Sequence, residues 1–272
     1  MSSIDFRAAL YALSDVMINR PAPLRHFDQI YMKIPDMLLQ AEVVSRAFEG
    51  RRVVFVGDGD AIALTLAHLA EAGILKGRPA GITVLDFDER VVNSVLHFAS
   101  QHGLAIPISA ELYNVADPLP VHHWQKYDAF YTNPPWGASN DGVSVTSFIT
   151  RGIEAVAGDA VGCIILGDHK DYPWTHTVQG KVQRFCLDRC FRMTEILPEF
   201  HRYHLDDSPE LTSCSLLIAR TGEYQSAYAS EPLSQEERAR FYGQSAPLEV
   251  RYVRDLTGGG KLASRDVSLE CY

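Results

Sequence analysis

Four consecutive residues, Asn133-Pro134-Pro135-Trp136, have the chemistry needed to hold a nitrogen nucleophile. Two prolines fix φ and remove two backbone N–H donors, so the carbonyls beside them are free to accept hydrogen bonds from a guest outside the sheet. The Asn133 side chain adds an acceptor and Trp136 a flat apolar wall, which together would hold an amine in line with an electrophilic carbon. Carboxylates recur in comparable settings. Gly57-Asp58-Gly59-Asp60 follows the apolar run Val53 to Val56, Asp86-Phe87-Asp88 follows Ile82 to Leu85, Asp117 follows Ile108 to Tyr113, and Asp168 follows Val161 to Leu166. A metal reading of His201-Arg202-Tyr203-His204 needs a helix to place both imidazoles on one face. The stretch lies between Pro198 and Pro209 and reads as a loop, so no metal is predicted.

The elements that must position these residues alternate strictly from Arg51 onward. Short apolar strands at Val53 to Val56, Ile82 to Leu85, Ile108 to Tyr113, Ala129 to Thr132 and Val161 to Leu166 are separated by helices from Ala61, from Glu89 and over Thr146 to Val156. Such alternation predicts a doubly wound α/β sheet, whose carboxyl strand ends form the ligand crevice. A helix over Gln183 to Arg189, then strands at Phe191 to Leu197 and Thr212 to Ala219, fit a closing hairpin that brings the sheet to seven strands. Before Arg51 come a mixed helical pattern, an extended proline-containing segment from Arg20 to Gln29 and a helix at about Ile34 to Phe48. After Thr221 the chain is polar, with one expected strand at Leu248 to Val253. The run Gly258-Gly259-Gly260-Lys261 lacks the spacing and following Ser/Thr of a phosphate-binding loop and reads as a turn.

The Pro-Pro stretch resembles the Asn/Asp-Pro-Pro-aromatic motif of S-adenosylmethionine-dependent enzymes that alkylate amines. In a sheet of this kind Gly57, Asp58, Gly59 and Asp60 lie where an adenosyl cofactor's tail runs, Asp86 is placed to accept both ribose hydroxyls with Phe87 beside it, Val115 offers a backbone N–H, and Asp117 is placed to accept the adenine amino group. Aspartates at positions 58 and 60 repel the carboxylate of S-adenosylmethionine and attract the lone ammonium of its decarboxylated form, a preference of about a kcal/mol or more even in a screened site. One of the two is also a natural cap for the following helix, which would leave a single carboxylate near the cofactor.

Taken together, the chain resembles the bis(aminopropyl)spermidine synthases, which make branched-chain polyamines. The likeness runs from about Arg20 to Ala219 and rests on Arg20-Pro21 through Phe27-Asp28-Gln29, the Gly57 to Asp60 loop, Leu85 to Arg90, the Pro-Pro motif and Phe148 to Ala155. It implies a Rossmann-like, seven-stranded methyltransferase-type catalytic domain at 51–220, here with a helical and extended segment at 1–50 and a C-terminal extension at 221–272. It also implies decarboxylated S-adenosylmethionine as co-substrate, a spermidine-like polycation as acceptor and methylthioadenosine as product. Family members carry an N-terminal winged-helix-like domain for which the first 50 residues here are too short, and they commonly have Asp where this chain has Asn133. A polyamine nitrogen is protonated at neutral pH, and an amide is no base for it. Asp58, Asp60 and Asp168 are the sequence candidates for that role, with Asn133, Pro134 and Trp136 positioning the amine.

Composition restricts the alternatives. The 272 residues are 46% hydrophobic, enough for a substantial core. Acidic residues outnumber basic ones 34 to 25, and a net charge of −9 without a Lys/Arg-rich run argues against a nucleic-acid partner and for a small polycation. Asp141, Asp168, Asp206, Asp207 and Glu210 are candidates for binding its distal ammonium groups. Five scattered cysteines indicate neither a disulfide framework nor a thiolate zinc site. There is no signal-peptide pattern or membrane-length apolar run, which predicts a cytoplasmic protein, with a homodimer as one assembly left open. The competing readings are an S-adenosylmethionine-dependent amino-group methyltransferase and a non-catalytic protein that binds an adenosyl ligand. Trp174, in Asp171-Tyr172-Pro173-Trp174, reads as packing or as part of a lid over the acceptor.

Overall fold

The computed structural model describes residues 5–222, 227–243, 246–257 and 266–272, and the architecture follows from strands that are apolar on both faces. Strand β1 (Arg52–Val56) is the clearest case, because Val53, Val54, Phe55 and Val56 are all fully buried. Val53 and Phe55 pack into one hydrophobic layer while Val54 and Val56 pack into a second on the opposite face. That is the pattern of a parallel strand covered by helices on both sides.

In chain order the elements are α1 (Phe6–Asn19), a 3₁₀ turn (Arg25–Phe27), α2 (Ile34–Ala47), β1, α3 (Ile62–Glu71), β2 (Gly81–Asp86), α4 (Glu89–His102), β3 (Ile108–Leu112), β4 (Tyr127–Thr132), α5 (Val143–Ala155), β5 (Val156–Gly167), α6 (Pro173–Asp188), β6 (Phe191–Arg202), β7 (Thr212–Arg220), a short α7 (Gln235–Ala239), β8 (Val250–Asp255) and β9 (Val267–Cys271). The main sheet has the order β3-β2-β1-β4-β5-β7-β6, with β1 to β5 parallel and β7 antiparallel to both of its neighbours. This is the predicted methyltransferase-type sheet with its closing hairpin. The strand order reverses between β1 and β4, and a crevice at their carboxyl ends is the expected ligand site. Helices α1 to α4 share one core layer, while α5 and α6 cover the other.

Three stretches differ from the sequence reading. Helix α6 begins at Pro173, ten residues before the expected start, because proline is tolerated in a first helical turn, where its missing N–H would have no partner. Strand β6 continues through Pro198 to Arg202 by shifting register between Leu197 and His201, so His201 is in a strand and fully buried rather than in a loop. The chain after Thr221 adds α7, which has a Ser234/Glu237 capping box, and the β8-β9 hairpin, which lies against α4 and meets Asp88 through Val253. The Gly258 to Lys261 run lies outside the described residues. Among the described residues, no helix is long and apolar enough to cross a membrane.

Candidate active site

Two cavities open at the carboxyl ends of β1, β2 and β4 and meet beside Asn133. The first encloses about 770 Å³ including its mouth and is lined by the loops after β1, β2 and β3, by Phe148 of α5, by Phe27 to Tyr31 and by Phe241, Tyr242 and Leu248. The second encloses about 810 Å³ on the same basis and runs along Asn133 to Asn140, with Trp136, Trp174, Tyr203 and Tyr242 as aromatic walls.

The first cavity is built on a tight turn. Gly57 sits at φ +74°, and a Cβ there would stand 3.0 Å from the Phe148 ring; one at Gly59 would stand 3.2 Å from the Tyr31 ring. Glycine at 57 therefore serves both the backbone shape and the room needed by Phe148, while a side chain at 59 would crowd Tyr31. Asp58 turns inward, and its two carboxylate oxygens accept from the Ile62 and Ala63 N–H groups at 2.9 and 3.0 Å, capping α3. Asp60 accepts from the Met32 N–H and from the Asn133 side-chain amide, each at 2.6 Å. Asp86 accepts from the Asp58 N–H and the Asp88 N–H, both at 2.9 Å, which fixes the β1 and β2 loops to each other.

These carboxylates are buried, and desolvation dominates their titration. Burial pushes Asp86 up to about 7, with Asp88 adding to the rise and backbone N–H groups opposing it. Asp58 is pushed well up for the same reason. Asp60 is also raised by burial, against the pull of the Arg20 guanidinium and its hydrogen bonds. Arg20 lies 4.0 Å over the Tyr31 ring and donates to the Asp60 carbonyl at 3.3 Å. Among the described residues, the lining of the first cavity includes four aspartates (Asp28, Asp58, Asp60 and Asp86) and no Lys, Arg or His. A cation entering it would be stabilised by partially desolvated carboxylates and would in turn favour their ionised forms. The buried Tyr131 hydroxyl has no hydrogen-bond partner among the described residues and also lines this cavity.

Asn133 joins the two cavities. Its amide donates to Asp60, and its carbonyl accepts from Trp136 Nε1 at 3.2 Å, so carboxylate and indole together fix which way the amide faces. Trp136 meets Tyr203 edge-on, with ring centroids 5.0 Å apart. Behind them His201 is held by Gln40 and Ser213 at 2.8 and 2.9 Å and kept neutral by burial, which lowers its pKa to about 3. It is a packing and hydrogen-bonding residue of the cavity's support.

The structure thus brings together Gly57, Asp58, Gly59, Asp60, Asp86, Phe87, Val115 and Asn133 around the first cavity, and Pro134, Trp136 and Trp174 around the second. Two expected residues line neither. Asp117 is turned to the C-terminal hairpin, accepting from Arg251 Nε at 2.9 Å. Asp168 is buried and accepts from the Gln179 amide and the Glu199 N–H. Asp141, Asp206, Asp207 and Glu210 also lie outside both linings; Asp141 pairs with Lys181, Asp207 with Arg25, and Glu210 accepts from the Tyr172 hydroxyl. Sequence reasoning did not pick out Asp28, Tyr31, Phe148, Phe241, Tyr242 or Leu248 as site residues. The extended Arg20 to Gln29 segment was the one available signal, since a chain held extended by prolines over a sheet's carboxyl edge is placed to cover it.

A seven-stranded sheet of this order, with a glycine-aspartate turn after β1 and Asn-Pro-Pro after β4, places the chain in the class of proteins with a methyltransferase-type fold. An RNA methyltransferase assignment from Pyrococcus horikoshii shares the fold at a TM-score of 0.56 and 13% identity, covering 79% of this chain and all of that one. Within the class, the family described as the branched-chain polyamine synthase A C-terminal domain matches residues 9–253, and the chain belongs to it. The chain is 28% identical over 186 residues to an N(4)-bis(aminopropyl)spermidine synthase of Thermus thermophilus, covering 68% of this chain and 50% of that protein. It is 29% identical over 160 residues to the synthase of the same name from Thermococcus kodakarensis, covering 58% and 42%. It therefore spans half or less of the length of these curated relatives. The branched-chain polyamine synthase of Thermus thermophilus, solved with N4-aminopropylspermidine and 5'-methylthioadenosine, superposes at a TM-score of 0.66 with 25% identity, over 85% of this chain and 69% of that one.

Proposed function

We propose that the protein transfers an aminopropyl group from decarboxylated S-adenosylmethionine to an amine of a spermidine-like polyamine. The observation that carries this reading is the first cavity's lining, which among the described residues has four aspartates and no basic side chain, joined at Asn133 to an aromatic-walled second cavity. The donor bears a sulfonium and a lone ammonium, both cationic, and the first cavity suits that charge where it would oppose an added carboxylate. The family membership and the methylthioadenosine complex of the Thermus thermophilus protein point the same way.

In this reading Asp86 accepts the ribose hydroxyls, the Val115 backbone and the Phe87 and Phe148 rings hold the adenine, and Asp60 faces the donor's ammonium. Asp58 keeps the turn closed as the cap of α3. The acceptor enters the second cavity, where Trp136, Trp174, Tyr203 and Tyr242 offer ring faces to an alkylammonium chain. Asn133 and the Pro134 carbonyl align its nitrogen with the donor's propyl carbon. The C–N bond forms as the C–S bond breaks, the bonding pair stays on sulfur, and methylthioadenosine leaves as a neutral thioether.

The test is release of methylthioadenosine by the purified protein given spermidine with each donor in turn. Release with the decarboxylated donor and none above background with S-adenosylmethionine is expected. Conversion of S-adenosylmethionine to S-adenosylhomocysteine would replace this reading by methyl transfer.

A further inference from the structure

The second cavity holds the acceptor beside a group that can receive its proton, and we infer that this group is Asp28. The inference rests on the aminopropyl-transfer reading and adds the base that Asn133 cannot be. A polyamine nitrogen resembles a lysine amine, and at pH 7.5 roughly one in a thousand such groups is unprotonated. Attack needs the lone pair, so a proton must leave first, at the place where acceptor and donor meet.

Among the described residues, five line both cavities: Asp28, Ile30, Asn133, Pro135 and Tyr242. Ile30 and Pro135 have no titratable group, Asn133 is an amide, and burial pushes the Tyr242 hydroxyl far above neutral pH. Asp28 remains. The other carboxylates of the site are engaged: both Asp58 oxygens cap α3, Asp60 holds Met32 and Asn133, Asp86 holds two backbone N–H groups, and Asp168 lines neither cavity. The Asp28 carboxylate makes no hydrogen bond or ion pair among the described residues. Among the described residues it is also the one charged side chain in the lining of the second cavity.

The local backbone accounts for its position. Asp28 ends the 3₁₀ turn in the left-handed region, at φ 57° and ψ 23°, a conformation that Asp and Asn tolerate better than other side chains. Gln29 anchors the next position by donating to Asp88 at 3.0 Å and accepting from the Leu24 N–H at 2.7 Å. By surface area Asp28 is exposed, yet the surrounding walls push its carboxyl above the usual range, with Arg25 pulling the other way. Arg25 on its own segment, Tyr242 from the C-terminal segment, Tyr203 after β6, and Asp60 and Asp86 after β1 and β2 are the ionisable groups around this junction. Asp28 takes one proton from the acceptor ammonium and, being open to solvent, passes it to water. The freed lone pair forms the C–N bond, and nitrogen takes on the positive charge that sulfur gives up.

The test compares wild type, Asp28→Asn and Asp28→Glu with decarboxylated S-adenosylmethionine and spermidine from pH 6.5 to 10, alongside calorimetric binding of methylthioadenosine. Asparagine keeps the turn's backbone preference. We expect Asp28→Asn to bind methylthioadenosine within twofold of wild type and to lose at least about 100-fold in kcat at pH 7.5, the usual scale for general-base removal. The deficit should shrink about tenfold per pH unit as solution deprotonates the amine, and should shrink with a less basic acceptor amine; Asp28→Glu should recover part of the rate. A loss under threefold, or one unchanged from pH 7 to 10, would overturn the role of Asp28 while leaving aminopropyl transfer by the wild type intact. A wild type that forms no aminopropyl product would overturn the reading on which the inference rests, and the inference with it.

Discussion

Binding of methylthioadenosine should depend on pH through Asp86. In the free protein burial holds this carboxyl at about 7, far above an ordinary aspartate. Its proposed role, accepting two ribose hydroxyls, requires the ionised form. At pH 6 about ten in eleven molecules would carry the proton and must lose it to bind; at pH 8 about one in eleven would. Affinity should therefore rise by roughly tenfold from pH 6 to pH 8, about 1.4 kcal/mol. Two hydroxyl donors would hold the carboxylate ionised in the complex, so binding near pH 6 should release close to one proton. Calorimetry in two buffers of different ionisation enthalpy measures both quantities. The sign for folding is opposite: a raised aspartate pKa stabilises the folded state most below about pH 4, and that contribution is lost as pH rises through about 7. The thermal shift given by methylthioadenosine should accordingly be larger at pH 8 than at pH 6. Equal affinity at pH 6 and pH 8, with no proton released, would refute the assignment of Asp86 to the ribose.

Gly57→Ala places a Cβ 3.0 Å from the Phe148 ring at a positive φ, and should weaken methylthioadenosine binding by tenfold or more in the same calorimetric assay. Asn133→Ala removes the link between Asp60 and Trp136; methylthioadenosine affinity should stay within a few-fold while kcat falls at least tenfold, read from initial rates. His201→Ala removes a fully buried ring and its hydrogen bonds to Gln40 and Ser213, which keep Ser215 and Tyr203 as partners, and should cost about 2–3 kcal/mol in urea unfolding. With the imidazole lowered to about 3 in the fold, wild-type stability should fall as pH drops from about 6.5 toward 3, and the variant should lack that part of the acid slope.

Much of the architecture was legible because parallel strands covered on both faces must be apolar throughout, as Val53 to Val56 are, and because ligand chemistry gathers at their carboxyl ends. Gly57, Asp86 and Asn133 could be placed from that rule alone. Direction was harder to read than position. Asp58 and Asp60 are two residues apart in one loop, yet one caps a helix and the other faces Asn133, and only the folded turn separates these roles. Proline misled twice: Pro173 starts α6, and Pro198 is absorbed by a register shift in β6, which carries His201 into the core. The cover of the site was least visible, since Asp28 and Tyr242 come from opposite ends of the chain and meet only through tertiary packing. Asp117 is the converse case, a well-placed carboxylate engaged by Arg251 from the C-terminal hairpin.

The central claim is tested most directly by mass spectrometry of the polyamines formed when the purified protein is incubated with spermidine and decarboxylated S-adenosylmethionine. Addition of aminopropyl units is expected, with fragmentation placing the new group on an amine of spermidine, and no addition when S-adenosylmethionine is the donor. Spermidine recovered with an added methyl group, or recovered unchanged with both donors, would contradict it.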